Sequence, residues 1–170
     1  MAGPPPSSMH TQLMALALEE AAAAGARGEV PVGAIITDIN SGAILGRAGN
    51  RVEELADPTA HAEMLVIRAA AMRLGSPRLV DCDLWVTLEP CAMCAQAIAL
   101  ARVRRLFFGA YDVKGGGVEH GARIFERPTC HHRPKVFGGI REQAAAGLLR
   151  QFFADRREDS SASVARDHRM

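Results

Sequence analysis

The chain has 170 residues, a formal net charge of +1 and 48% hydrophobic residues. That composition fits one globular domain with a sizeable core and excludes nucleic-acid or membrane binding driven by bulk charge. No apolar run approaches the roughly 20 residues of a membrane span; Met1–Ser8, rich in Pro and Ser, lacks the basic start and apolar stretch of a secretory signal. Four cysteines, two of them close together at Cys91 and Cys94, suit the reducing cytoplasm better than a disulfide framework.

Both ends read as loose: residues 1–8 through their Pro, Ser and Gly, and residues 158–170 through charge and Ser with few apolar residues. Between them, residues 9–157 form one domain without an internal repeat. A first helix is predicted from about Met9 to Ala24, with Leu13, Leu16, Ala17, Ala21 and Ala24 on one face and Gly25 as a stop. Val32–Ile36 reads as a strand, Asp38–Gly42 as a turn and Ala43–Gly46 as the returning arm of a hairpin. His61–Leu74 is apolar nearly all round, the pattern of a helix buried in a core. Asp83–Leu88, Cys91–Ala101 and Arg104–Phe108 then read as strand, helix and strand, a right-handed parallel crossover. A short strand at Val136–Gly138 and an amphipathic helix marked by Ile140, Ala144, Leu148, Leu149 and Phe152 complete the chain. The predicted fold is α/β: a mixed sheet of about five strands between two layers of helices.

Two motifs carry chemistry. His61-Ala62-Glu63 precedes Pro90-Cys91-Ala92-Met93-Cys94, so one His and two Cys can bind zinc and leave its fourth position open for water. H-x-E followed by P-C-x-x-C is a signature of the zinc-dependent nucleobase deaminases. Both halves fall at predicted helix beginnings, after Asp57-Pro58-Thr59-Ala60 and with Pro90 suited to the first helical position. Free N–H groups there favour thiolates, which predicts that both Cys91 and Cys94 ionise before the metal adds its pull. Two thiolates and a neutral imidazole cancel the zinc charge, which leaves proton transfer to a base. Glu63, outside the ligand set, is the candidate general acid/base.

The alternatives rest on the same residues. C-x-x-C alone is also a redox pair. A closed structural zinc site would take its fourth ligand from Cys82, Cys130, His131 or His132. Without a partner cluster, Cys130-His131-His132 reads better as a turn or polar surface, and His10, His120 and His168 as solvated. Asn50 ends the hairpin and reads either as a turn residue or as a base-binding amide. Arg102, Arg104 and Arg105, and the group Arg150, Arg156 and Arg157 beside Phe152 and Phe153, read either as solvated basic faces or as RNA contacts.

The chain also resembles the tRNA-specific adenosine deaminases of bacteria, within the cytidine deaminase-like superfamily. The resemblance is carried by Glu29–Ala34, Asn50-Arg51, Asp57–Glu63, Thr87–Cys94, Phe108-Gly109-Ala110 with Asp112 and Lys114, His132-Arg133, and Phe152-Phe153 with Arg156-Arg157. It implies a cytidine deaminase-like fold, a homodimer, one zinc on His61, Cys91 and Cys94, and a tRNA anticodon stem-loop as partner. The implied reaction converts the wobble adenosine of an arginine tRNA to inosine, with Asn50 hydrogen-bonding the target base. One departure is visible: His131 stands where the family commonly has Asn before the His-Arg pair. Free-base deaminases of guanine or cytosine share much of the zinc motif, so a free nucleobase is the competing substrate. A non-catalytic, zinc-stapled RNA-binding module is a third reading, opposed by Glu63.

Overall fold

Alternating side chains along the strands divide the core in two. In the computed structural model, which describes residues 8–167 and side chains through residue 159, five strands form one sheet. They are β1 (Gly33–Asp38), β2 (Ile44–Gly49), β3 (Cys82–Leu88), β4 (Arg105–Ala110) and β5 (Lys135–Phe137), in the order β2-β1-β3-β4-β5. Ala34, Ile36, Leu84, Val86, Leu106 and Phe108 pack into one buried cluster, and Ile35, Trp85 and Phe107 into another. A two-residue period sends neighbours to opposite faces, and each set needs its own cover.

The helices supply it. On one face lie α1 (Ser8–Ala26) and, closing the chain, a long helix at Glu142–Asp167. The other face is covered by α3 (Ala62–Leu74) and α4 (Ala92–Leu100), after a single turn of helix, α2 (Val52–Leu55). The closing helix is α5. Close approach sets the α1 contact: a Cβ at Gly33 would collide with the Ala17 carbonyl, and one at Gly49 would lie 2.6 Å from the Glu20 carbonyl oxygen. Glycine at both positions lets the helix backbone rest on the hairpin.

β1 is antiparallel to both β2 and β3, whereas β3, β4 and β5 run parallel. The start of β1, the end of β2 and the ends of β3 and β4 therefore share one edge of the sheet. Residues far apart in sequence (Val32, Asn50, Leu88 and Asp112) meet there around one pocket.

The predicted mixed α/β sheet is present, with longer elements. Met14, Ala17, Leu18, Ala21 and Ala24 are the buried face of α1, with Leu13 and Leu16 at its margin. α3 is buried on one face only: Val66, Ile67 and Ala70 face inward, while Met72 is 84% exposed. α5 continues to Asp167, past Arg157, because neither Gly nor Pro follows Gly147 within it to stop propagation. The stretch read as a loose tail from residue 158 is thus helical to Asp167. Ser8 opens α1, and the rest of the N-terminal stretch lies outside the described residues, as does His168. No described helix is long and apolar enough to cross a membrane.

Candidate active site

Two helix beginnings face each other across the pocket floor. His61 is the N-cap of α3, with extended backbone at φ −72° and ψ 150°. An Asp57–Thr59 turn sets its approach: Asp57 Oδ1 accepts the Thr59 N–H at 2.8 Å and the Thr59 hydroxyl at 2.7 Å. Cys91 is likewise the N-cap of α4, at φ −68° and ψ 172°, which puts Pro90 one residue before the cap rather than at the first helical position. Neither cap residue bonds its own helix through its side chain. Asn50 does part of that work, its Oδ1 accepting the Ala62 N–H at 2.9 Å. The imidazole and thiol are left to point across the gap.

His61 Nδ1 lies 3.5 Å from Cys94 Sγ and 3.7 Å from Cys91 Sγ. A tetrahedral ion with Zn–S of about 2.3 Å and Zn–N of about 2.0–2.1 Å holds its donors roughly 3.6–3.8 Å apart. The three donors fit zinc, with Nδ1 as the histidine ligand atom. Among the described residues this is the group of His, Cys and acidic side chains close enough to share an ion. Cys130 and His132 lie apart: Cys130 Sγ donates to the His132 carbonyl at 3.1 Å, and His132 Nε2 contacts the Val103 carbonyl at 2.7 Å. Cys82 is buried in the core.

The thiols do not ionise alike. The Cys94 thiol donates to Cys91 and, against the opposing effect of burial, draws the Cys91 thiol down to about 4. Cys94 moves strongly upward, through that same hydrogen bond, burial and the nearby Glu63 and Cys91 charges. The sequence argument treats the two thiols alike, whereas two like charges this close in a buried site push them apart, Cys91 downward and Cys94 upward. His61 is pushed up, chiefly by its contact with Cys91.

Glu63, at the second position of α3, is 3% exposed, and its Oε2 has no hydrogen-bond partner. Burial is the largest influence on its carboxyl, which is pushed up to about 7. An orphaned buried carboxylate oxygen beside three convergent donors is a site awaiting a polar guest. Above it opens a cavity of about 370 Å³ bordered by Asn50, His61, Glu63, Cys91, Asp112 and Arg156, among others. That is at the small end of the roughly 300–1,000 Å³ typical of small-molecule sites.

Sequence reasoning misses two buried carboxylates of this pocket. Glu29, 2% exposed, accepts the N–H groups of Glu53 at 3.2 Å and Glu54 at 2.9 Å and so starts α2. Glu89, 1% exposed, gathers the loop after β4. Burial would raise its carboxyl, but bonds from His120, Asp112 and Glu119 outweigh that and hold it low. His120, read as solvated, contacts Glu89 Oε2 through Nδ1 at 2.8 Å. His10, also read as solvated, stacks on Phe107 with ring centroids 4.5 Å apart. Arg104 and Arg105 both bind Asp83, so this basic cluster is partly neutralised. Arg156 caps the pocket mouth, donating to the Gly28 carbonyl at 2.7 Å and lying 4.7 Å over the Phe152 ring.

This fold and donor set define a zinc-dependent deaminase of the cytidine deaminase-like class. Residues 7–110 match the cytidine and deoxycytidylate deaminase zinc-binding region. The tRNA-specific adenosine deaminase of Agrobacterium fabrum is 55% identical over 149 residues, spanning 88% of this chain and 97% of that protein. This chain belongs to the tRNA-specific adenosine deaminase family. A solved structure from a study of A-to-I editing by tRNA:A34 deaminases at the wobble position superposes with a TM-score of 0.79 at 55% identity, covering 82% of this chain and 99% of that one. The guanine deaminase of Nitrosomonas europaea shares the fold more distantly, with a TM-score of 0.73 at 25% identity over 91% of this chain and 86% of that one.

Proposed function

We propose that this chain, through a single deaminase domain over residues 9–157, hydrolyses the wobble adenosine of an arginine tRNA anticodon to inosine, releasing ammonia. The observation that carries the chemistry is Glu63: a buried carboxylate, one oxygen unpartnered, beside His61, Cys91 and Cys94. Zinc bound by those three ligands supplies Lewis-acid activation of a water. Glu63 takes one proton of the attacking water and passes it to the ring nitrogen. It then takes the remaining proton from the hydroxyl added to the ring carbon and passes it to the amine, which leaves as ammonia as the carbonyl forms. A carboxyl raised to about 7 suits both halves of that task at neutral pH.

Asn50 orients the base. Its Oδ1 is engaged by the Ala62 N–H, so its amide N–H₂ is the group free to meet a ring acceptor, a single contact rather than the bidentate one an adenine edge can receive. Arg156 lines the pocket and lies over the Phe152 ring, with Phe153 packed edge-on against that ring, a group that suits unstacked bases and phosphates of a loop. The likeness to guanine deaminase makes a free base the competing substrate. Incubation of the zinc-loaded protein with an anticodon stem-loop carrying wobble adenosine, beside free adenine, guanine, cytosine and their nucleosides, separates the two. Inosine in the stem-loop and negligible reaction of free bases is the expected result, because only the loop brings flanking bases and phosphates for Arg156 and the Phe pair to hold, and it presents its adenine without the few kcal/mol of unstacking a duplex demands. Guanine turnover with an inert stem-loop reverses the assignment.

The protein works in the cytoplasm as a homodimer. Free thiols at all four cysteines accord with a reducing compartment. Half-buried Met93, beside Cys94, and Leu100, 70% exposed and seven residues further along, leave an apolar strip along α4. Light scattering is expected to give twice the chain mass; an active monomer across working concentrations contradicts the dimer.

A further inference from the structure

We propose that Glu89 is a positioning residue whose buried carboxylate holds the loop from Asp112 to His120 in place as a wall of the substrate pocket, with His120 as its side-chain latch. The inference rests on the deaminase reading above and adds a determinant of substrate binding to it. Five donors converge on this one carboxylate. Oε1 accepts the N–H groups of Val118 at 3.3 Å, Glu119 at 2.8 Å and His120 at 2.9 Å. Oε2 accepts the Asp112 N–H at 3.1 Å and meets His120 Nδ1 at 2.8 Å. All five belong to the same loop, which contains Gly115-Gly116-Gly117 and has little intrinsic order. Its N–H groups find in Glu89 the acceptors that a helix or sheet would otherwise provide.

The glycines record how tightly the loop is seated. A Cβ at Gly116 would lie 2.6 Å from Glu89 Oε1, and one at Gly117 would lie 2.5 Å from the Ala92 nitrogen at the start of α4. The Gly117 N–H also donates to the Pro90 carbonyl at 2.8 Å. Asp112 and Gly115 line the cavity that His61, Glu63 and Cys91 floor. Glu89 itself borders the cavity beside Cys91, but its two carboxylate oxygens are taken up by the loop's five donors. Loosening it changes how well a substrate is held, while zinc and Glu63 keep their positions.

Glu89→Gln keeps the size and replaces one acceptor oxygen with a donor that faces N–H groups. In the zinc-loaded enzyme, KM for the stem-loop is expected to rise about tenfold, with kcat within about threefold and zinc still one per chain. Hydrogen exchange at the amides of Val118, Glu119 and His120 is expected to quicken about tenfold or more. His120→Ala removes only the latch and is expected to shift KM and exchange in the same direction, about threefold. Unchanged KM and unchanged exchange overturn the proposal. Loss of zinc with a collapse of kcat at constant KM also overturns it, by making Glu89 a support of the metal helix. If Glu89→Gln does not fold, His120→Ala decides by the same two readouts. An inactive parent counts against the substrate reading, whereas exchange, which needs no substrate, still judges the loop.

Discussion

Glu63→Gln is expected to keep one zinc per chain and the parent's thermal stability while losing deamination by about 10⁴-fold. General acid–base transfer contributes typically ~10²–10⁴-fold, and here one residue serves the water, the ring nitrogen and the leaving amine, which places the loss at the top of that range. The amide fills the same volume in a site where Glu63 is 3% exposed, so packing is preserved. It also removes a buried ionisable group that burial already pushes up to about 7, so folding does not suffer. Single-turnover rates on the stem-loop, with zinc measured on the same sample, read the effect. A variant that deaminates within tenfold of the parent would show that Glu63 is not the proton carrier.

Cys91→Ser and Cys94→Ser are each expected to lower zinc well below one per chain and abolish activity, whereas Cys82→Ser and Cys130→Ser keep the metal. Even a group that only hydrogen-bonds a ligand costs roughly 10–100-fold in affinity when removed; loss of a thiolate from a three-residue site exceeds that. Cys82 is 1% exposed, and burial, with the charges of Asp38, Asp81 and Asp83, pushes its thiol up to about 11, a neutral core residue. A hydroxyl there costs about 1–3 kcal/mol of stability without touching the site. Cys130 spends its thiol on the His132 carbonyl. Metal analysis of the four purified variants makes the comparison. Zinc lost from the Cys130 variant would mean a closed, four-ligand site and no open position for water.

The chemistry was legible because it lies in two short segments. His61 and Glu63, and Cys91 and Cys94, are each within one helical turn, and a metal that needs soft donors at fixed spacing constrains such segments locally. The strands were legible for a similar reason: Ala34-Ile35-Ile36 and Leu84-Trp85-Val86 declare a sheet covered on both faces by composition alone. Their boundaries were less so. α2 is one turn long and carries no capping side chain of its own; its first N–H groups are taken by Glu29, more than twenty residues upstream.

Local pattern by itself determined the fold class, the zinc ligands and the candidate proton carrier, since each follows from residue type and spacing over a few positions. Only the tertiary structure decided which strands are neighbours, and hence that the start of β1, the end of β2 and the ends of β3 and β4 build one pocket. It also decided that His61 turns Nδ1 toward the two cysteine sulfurs, that the Asn50 side chain accepts the first N–H of α3, and that Arg104 and Arg105 are bound to Asp83. Glu29, Glu89 and His120 belong to the same group, for in sequence they are an acid before a strand, an acid before a helix and a histidine in a loop. Their roles come from burial and from hydrogen-bond partners more than twenty residues away. A buried carboxylate takes its function from what the fold brings to it, and that is not encoded in its neighbours along the chain.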